Sequence, residues 1–128
     1  MVTLTTFGIK ISVENYYQAD YSKPNQNKYI HSYRITIENQ SDHTVQLLRR
    51  HWIITDSTGI VREVDGEGVI GKKPVLEPGS TYQYESWCPL TSALGKMEGT
   101  FLMQNESNKA QFRVRVPEFQ LIAPFKLN

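Results

Sequence analysis

Apolar and polar residues alternate with a period of two along most of the chain, and helical periodicity is hard to find. Phe7, Ile9, Ile11 and Val13 alternate with Gly8, Lys10 and Ser12, the pattern of a strand with one buried face. Tyr29, His31, Tyr33, Ile35 and Ile37 alternate with Ser32, Arg34, Thr36 and Glu38 in a longer one. The stretch from Thr44 to Thr55 is rich in β-branched and aromatic residues, and Ile60 to Val64 follows as a short return strand. Tyr82, Tyr84, Ser86 and Cys88 share one face opposite Gln83, Glu85 and Trp87. Met97, Gly99, Phe101 and Met103 form another alternating set, and Phe112, Val114 and Val116 alternate with Gln111, Arg113 and Arg115.

Turn chemistry separates these runs. Asn39-Gln40-Ser41-Asp42, Asp56-Ser57-Thr58-Gly59 and Asn105-Glu106-Ser107-Asn108 offer Asn, Asp and Ser side chains to turn backbone. Glu77-Pro78-Gly79-Ser80 has Pro then Gly at the central positions, as a type II turn requires, and Asp65 to Pro74 is turn-rich throughout. About seven strands at roughly ten-residue spacing predict an all-β, antiparallel sandwich of the immunoglobulin-like or fibronectin type III-like kind. No connection is long enough to hold the crossover helix of a parallel sheet. No repeat or linker divides the chain, so residues 1–128 are read as one domain.

Composition narrows the function classes. Fourteen Lys+Arg against thirteen Asp+Glu give a formal net charge of +1, which supplies no bulk attraction to nucleic acid or anionic lipid. Arg49-Arg50 and the Arg113/Arg115 pair, with Tyr16, Tyr17 and Tyr21, are the residues a nucleic acid would use, but Arg113 and Arg115 read as the wet face of a half-buried strand. No apolar run approaches a membrane span, and Met1 to Thr6 shows no export signal. The single cysteine, Cys88, excludes a disulfide framework and a cysteine zinc site. The expectation is therefore a cytoplasmic protein without membrane, nucleic-acid or cofactor partners.

Candidate chemistry is sparse. Gly66-Glu67-Gly68-Val69-Ile70-Gly71 matches G-x-G-x-x-G, which in a dinucleotide fold joins a strand to a helix that holds pyrophosphate. Pro74 and Pro78 follow too closely for such a helix. The expectation is a loop shaped by glycine, while a phosphate nest of backbone amides at Gly66, Gly68 and Gly71 with Lys72 and Lys73 remains the alternative. His31, His43 and His51 lack ligand spacing, and His31 is expected to be packed and hydrogen-bonded. Cys88 is read as a small core residue, and Glu63, Asp65 and Glu67 as a solvated strand edge. No catalytic set converges, so no enzyme activity is expected. In the tail, Pro117 and Pro124 bar a central strand, and Phe119, Ile122 and Phe125 either close the core or face a partner.

The run Arg50-His51-Trp52-Ile53-Ile54-Thr55-Asp56-Ser57-Thr58-Gly59 resembles the signature of the ApaG family. The resemblance continues through Val64 to Gly71, Pro74 to Gly79, Tyr84 to Leu90 and Gly95 to Met103, with Phe101 where tyrosine is usual and Ile70 where valine is common. It implies a fibronectin type III-like sandwich, a bacterial stand-alone protein and a protein–protein interaction role. It further implies a link to cobalt resistance and magnesium efflux, and a pyrophosphate or nucleotide proposal for the glycine motif. The resulting expectation is a non-enzymatic binding module for a protein partner, with a homodimer through the tail or an edge strand as one arrangement and a small ligand at Gly66–Gly71 as the alternative.

Overall fold

The computed structural model describes residues 1–124, which form nine strands: β1 (Val2–Thr6), β2 (Ile9–Tyr17), β3 (Tyr29–Asn39), β4 (Val45–Asp56), β5 (Val61–Glu67), β6 (Val75–Leu76), β7 (Thr81–Leu90), β8 (Leu94–Asn105) and β9 (Gln111–Ile122). Every pairing is antiparallel. One sheet runs β1-β2-β3-β7 and the other β5-β4-β8-β9, with β6 added to the start of β4. The two inner faces meet as a sandwich. Ile9, Ile11, Val13, Ile35 and Ile37 of the first sheet are buried with Leu47, Trp52, Ile54, Phe101, Met103 and Val114 of the second. Tyr33, Trp52, Phe101 and Phe119 pack edge-on or tilted with ring centroids 5.6–6.2 Å apart, the offset geometry that aromatic quadrupoles favour.

Two bulges reset which residues face this core. In β4 the register slips between Leu47 and Arg49, so Leu48 is the extra residue. Inward positions change from Val45 and Leu47 to Arg50, Trp52, Ile54 and Asp56. In β9 the slip falls at Pro117-Glu118, and inward positions change from Val114 and Val116 to Phe119 and Leu121. A bulge on an edge strand is where a residue without an N–H is tolerated, so β9 continues straight through its proline.

Four sequence expectations change. Phe7 is not the first residue of a buried strand face. It sits with Gly8 at the tip of a two-residue turn, φ +50° and +79°, is 74% exposed, and touches Phe112 edge-on. The Thr6↔Ile9 pair closes that turn and makes Val2–Thr6 a strand that hydrophobicity did not reveal. β5 extends to Glu67, so the first glycine of the motif lies in a strand and not in a loop. His31 is fully buried and packed edge-on against Tyr17, yet neither ring nitrogen has a hydrogen-bond partner among the described residues. Phe119 is core, 2% exposed, and is closed to a partner, whereas Ile122 is 51% exposed. Phe125 lies outside the described residues.

Buried polar side chains tie the strand ends. Asn39 donates to His43 O at 2.8 Å and Leu76 O at 3.0 Å and accepts from Ser41 N and Oγ, joining the β3–β4 turn to β6. The Asp56 carboxylate accepts from Thr58 N, Thr58 Oγ1, Thr91 N, Thr91 Oγ1 and Ser92 Oγ, clamping the β4–β5 turn to the β7–β8 turn. Burial acts to raise its pKa, but the hydrogen bonds from Ser92, Thr91 and Thr58 outweigh it and hold the carboxyl well below its usual range.

Asp56→Asn is expected to cost about 2–4 kcal/mol at pH 7 in urea unfolding, since an amide cannot accept from both sets of donors. Because the folded carboxyl is depressed, its contribution is present in full above the unfolded value of about 4 and is lost progressively as pH falls from there through the lower folded value. The gap between variant and parent therefore begins to narrow below about pH 4 and keeps shrinking as the acid limit is approached. His31 gives the complementary slope. Burial lowers its pKa, so below about pH 6.5 the unfolded chain takes a proton that the folded chain refuses, and stability falls at up to about 1.4 kcal/mol per pH unit. His31→Met is expected to remove this slope between pH 7 and 5.

Candidate functional site

The two flanks of the sandwich differ. On one, β9 lies against β1 and β2. Asn15 Nδ2 donates to Gln120 O at 2.8 Å, and Arg115 N donates to Thr6 Oγ1 at 3.4 Å. On the other, the edge strands β5 and β7 face each other with a groove between them. One end of the groove is bridged by Arg62, whose Nη2 donates to Pro89 O, and the other is roofed by Val69, Ile70 and Gly71.

Two connected hollows fill the groove. The outer, about 220 Å³, is lined by Arg62 and Val64 of β5, Ser86 to Pro89 of β7, and Ile54 and Met97 from below. The inner, about 140 Å³, is lined by Val69, Ile70, Gly71 and Tyr84. Tyr33, Arg50, Trp52 and Ser86 belong to both. Among the described residues, Arg50 and Arg62 are the charged groups of the lining, and no carboxylate lies there. The acids of β5 point away: Asp65 pairs with Arg49 at 3.2 Å and Glu63 approaches His51 at 3.7 Å on the outer face. Val64 lies at the mouth, and Trp87, on the face of β7 opposite Ser86 and Cys88, borders it, 51% exposed and packed edge-on against Tyr21.

The bulge in β4 is what brings Arg50 inside. Its Nη1 donates to Glu67 O and Gly68 O, each at 3.0 Å. A Cβ on Gly66 would stand 3.0 Å from both Nη1 and Nη2, so the first glycine of the motif is the space in which the guanidinium lies. The second, Gly68, has φ +62°, and a Cβ there would collide with Lys72 O. Ile70 and Gly71, φ +48° and +70°, form the two central residues of a tight turn closed by Val69 N to Lys72 O at 2.8 Å and Lys72 N to Val69 O at 2.9 Å. Positive φ at both positions is the type I′ hairpin. The motif spacing thus serves an arginine berth, a close backbone crossing and a hairpin tip.

The amides of Gly68, Val69 and Lys72 donate within the chain, to Leu48 O, Lys72 O and Val69 O, and Lys73 approaches Glu67 at 3.6 Å. Lys72 stands on the hairpin's outer end. Cys88 is buried, and burial raises its thiol pKa despite Arg62 nearby. His31 lies directly across from it in the β3–β7 register without a hydrogen bond. Among the described residues, no three His, Cys, Asp or Glu side chains form a group able to hold a metal ion, and no helix is long and apolar enough to cross a membrane.

The ApaG domain family model matches residues 19–105, which include β3 to β7, both arginines of the groove and the whole glycine hairpin. Protein ApaG of Brucella abortus is 48% identical over 124 residues, covering 97% of this chain and 95% of the relative. The chain belongs to the ApaG family. Protein ApaG of Brucella anthropi shows the same identity over the same length. A Bordetella pertussis protein whose crystal structure is described as ApaA superposes with a TM-score of 0.88 at 40% identity, covering 92% of this chain and 95% of that one. The C-terminal domain of wzt shares the fold alone, with a TM-score of 0.56 at 10% identity.

Sequence reasoning singled out the glycine motif but not Arg50, Tyr33, Tyr84, Ser86 or Arg62 as one site. A signal for Arg50 was present: buried apolar positions change parity from Val45 and Leu47 to Trp52 and Ile54, as a bulge between them requires.

Stability in urea should rank the glycines by what their Cβ meets. Gly68→Ala strikes backbone at positive φ and is expected to cost about 2–4 kcal/mol. Gly71→Ala, in open space, meets the φ penalty alone at about 1–2 kcal/mol. Gly66→Ala displaces the end of a flexible arginine and should cost about 1 kcal/mol or less.

Proposed function

We propose that this chain is a non-enzymatic binding module that accepts an extended segment of a protein partner in the groove between β5 and β7. The observation that carries the reading is that two free strand edges face one another across a preformed hollow with Val64 at its mouth and Trp87 bordering it. A free edge offers backbone N–H and C=O groups to an added strand, and a hollow beside it takes alternate side chains of that strand. An exposed tryptophan is the side chain that most often anchors such contacts. Two arginines without a lining carboxylate favour a segment bearing negative charge.

This reading differs from phosphate capture at Gly66, Gly68, Gly71, Lys72 and Lys73. There the ligand would need backbone amides, and those of Gly68 and Lys72 already donate to Leu48 O and Val69 O. It also moves the partner surface from the tail to the opposite flank. A part in cobalt resistance or magnesium efflux would be indirect, exerted through the bound partner in the cytoplasm.

Extended peptides selected from a random library against the chain are expected to shift the amide resonances of Val61–Gly66 and Gln83–Cys88. Trp87→Ala should weaken them by about thirtyfold, and Ile122→Ala on the far flank should leave them unchanged. Ligands that map to β1, β9 or an outer sheet face would overturn the reading. So would self-association abolished by Trp87→Ala, which would put a second copy in the groove.

A further inference from the structure

The inner hollow contains an unanswered donor. Tyr84 is 9% exposed, and its hydroxyl is buried without a hydrogen-bond partner among the described residues. Buried hydroxyls are nearly always paired, because leaving one unmade costs roughly 1–3 kcal/mol. The walls around it are Trp52, Val69, Ile70 and Gly71, and its other polar groups are the Arg50 guanidinium and the hydroxyls of Ser86 and Tyr33, which lie within reach of each other. The Arg50 guanidinium is held in place through Nη1 by the carbonyls of Glu67 and Gly68. Nη2 and Nε donate to no acceptor among the described residues, so the other side of the planar fork stays available.

These groups are all donors or hydroxyls, and none is an anion. What completes them is an acceptor that is planar, singly charged and small enough for about 140 Å³. A carboxylate meets each condition: its two oxygens match an arginine fork, and its remaining lone pairs suit phenol and serine hydroxyls. A phosphate dianion would bring two charges to one guanidinium already engaged by two carbonyls. An amide would set its own N–H₂ against the donors that need an acceptor.

We propose that the inner hollow is a carboxylate-binding subsite in which Arg50 pairs with the anion and Tyr84 and Ser86 donate to it. The inference deepens the groove reading and rests on it for the origin of the carboxylate, an acidic side chain or C-terminus of the extended segment inserted beneath the Val69–Gly71 hairpin. The glycine motif then acts indirectly: Gly66 gives Arg50 its berth, and the hairpin roofs the pocket and excludes water.

The test titrates propionate and propionamide, up to about 50 mM, into labelled protein and follows the amides of Val69, Gly71 and Ser86. Propionate is expected to saturate and propionamide not to. Tyr84→Phe should weaken propionate about fivefold while leaving stability equal or higher, since the hydroxyl it removes has no partner to lose. Arg50→Lys, which keeps the charge and loses the fork, should weaken it about tenfold. Equal response to the two probes, tighter binding of inorganic phosphate than of propionate, or indifference to both variants overturns the carboxylate subsite.

Capped peptides carrying one glutamate, its glutamine twin, and an uncapped C-terminus then identify the source. Tighter binding of the glutamate peptide assigns a side chain, and tighter binding of the uncapped one assigns a terminus. Glutamate and glutamine peptides binding equally along β5 and β7 would leave the groove reading intact and remove the subsite. Propionate binding that depends on Tyr84, with no peptide bound, would keep the subsite and remove the groove reading.

Discussion

The contact of Arg50 with the β5–β6 connection organises the grooved flank of this protein. A single extra residue, Leu48, turns β4 over by one position and carries a guanidinium from the solvent face to the interior. There it lies against Gly66 and holds two carbonyls of the hairpin. A half-buried arginine is costly to desolvate unless its donors find acceptors, and the backbone of Glu67 and Gly68 supplies them. The hairpin in turn inserts Val69, fully buried, over the groove.

The sandwich around this contact is asymmetric, with one flank closed and the other grooved. The flank of β1 and β9 is closed by hydrogen bonds between the sheets and by a bulge that turns Phe119 and Leu121 inward. The flank of β5 and β7 stays open because β5 spends its outward acids on Arg49 and His51 and turns Arg62 and Val64 toward the gap. Surface pairs of this kind contribute little to stability. Their effect here is on charge distribution, leaving the groove positive in a chain whose net charge is +1.

Much of the fold was legible because period-two burial leaves a direct trace. The alternation through β2, β3, β7 and β8 and the Pro78-Gly79 turn, with Gly79 at φ +84°, appear as the pattern implies. Asn39 and Asn105 likewise cap their turns through Ser41 and Ser107. Strand β1 left no such trace because only Leu4 and Thr6 are partly covered. The inward phase of Arg50 was missed because alternation counts positions, and an inserted residue shifts the count without altering composition.

Local order along the backbone, namely the strand spans, the turns and the family to which the chain belongs, follows from residue types at fixed spacing, since φ/ψ preference and alternation act over neighbours. The gap between the β5 and β7 edges, the berth over Gly66 and the burial of the Tyr84 hydroxyl without a partner among the described residues arise between residues far apart in the chain. They depend on which sheet edges stay unpaired and on the volume left when two twisted sheets close. Those quantities exist only once the strands are packed, and packing alone made the glycine-shaped turn the roof of a hollow.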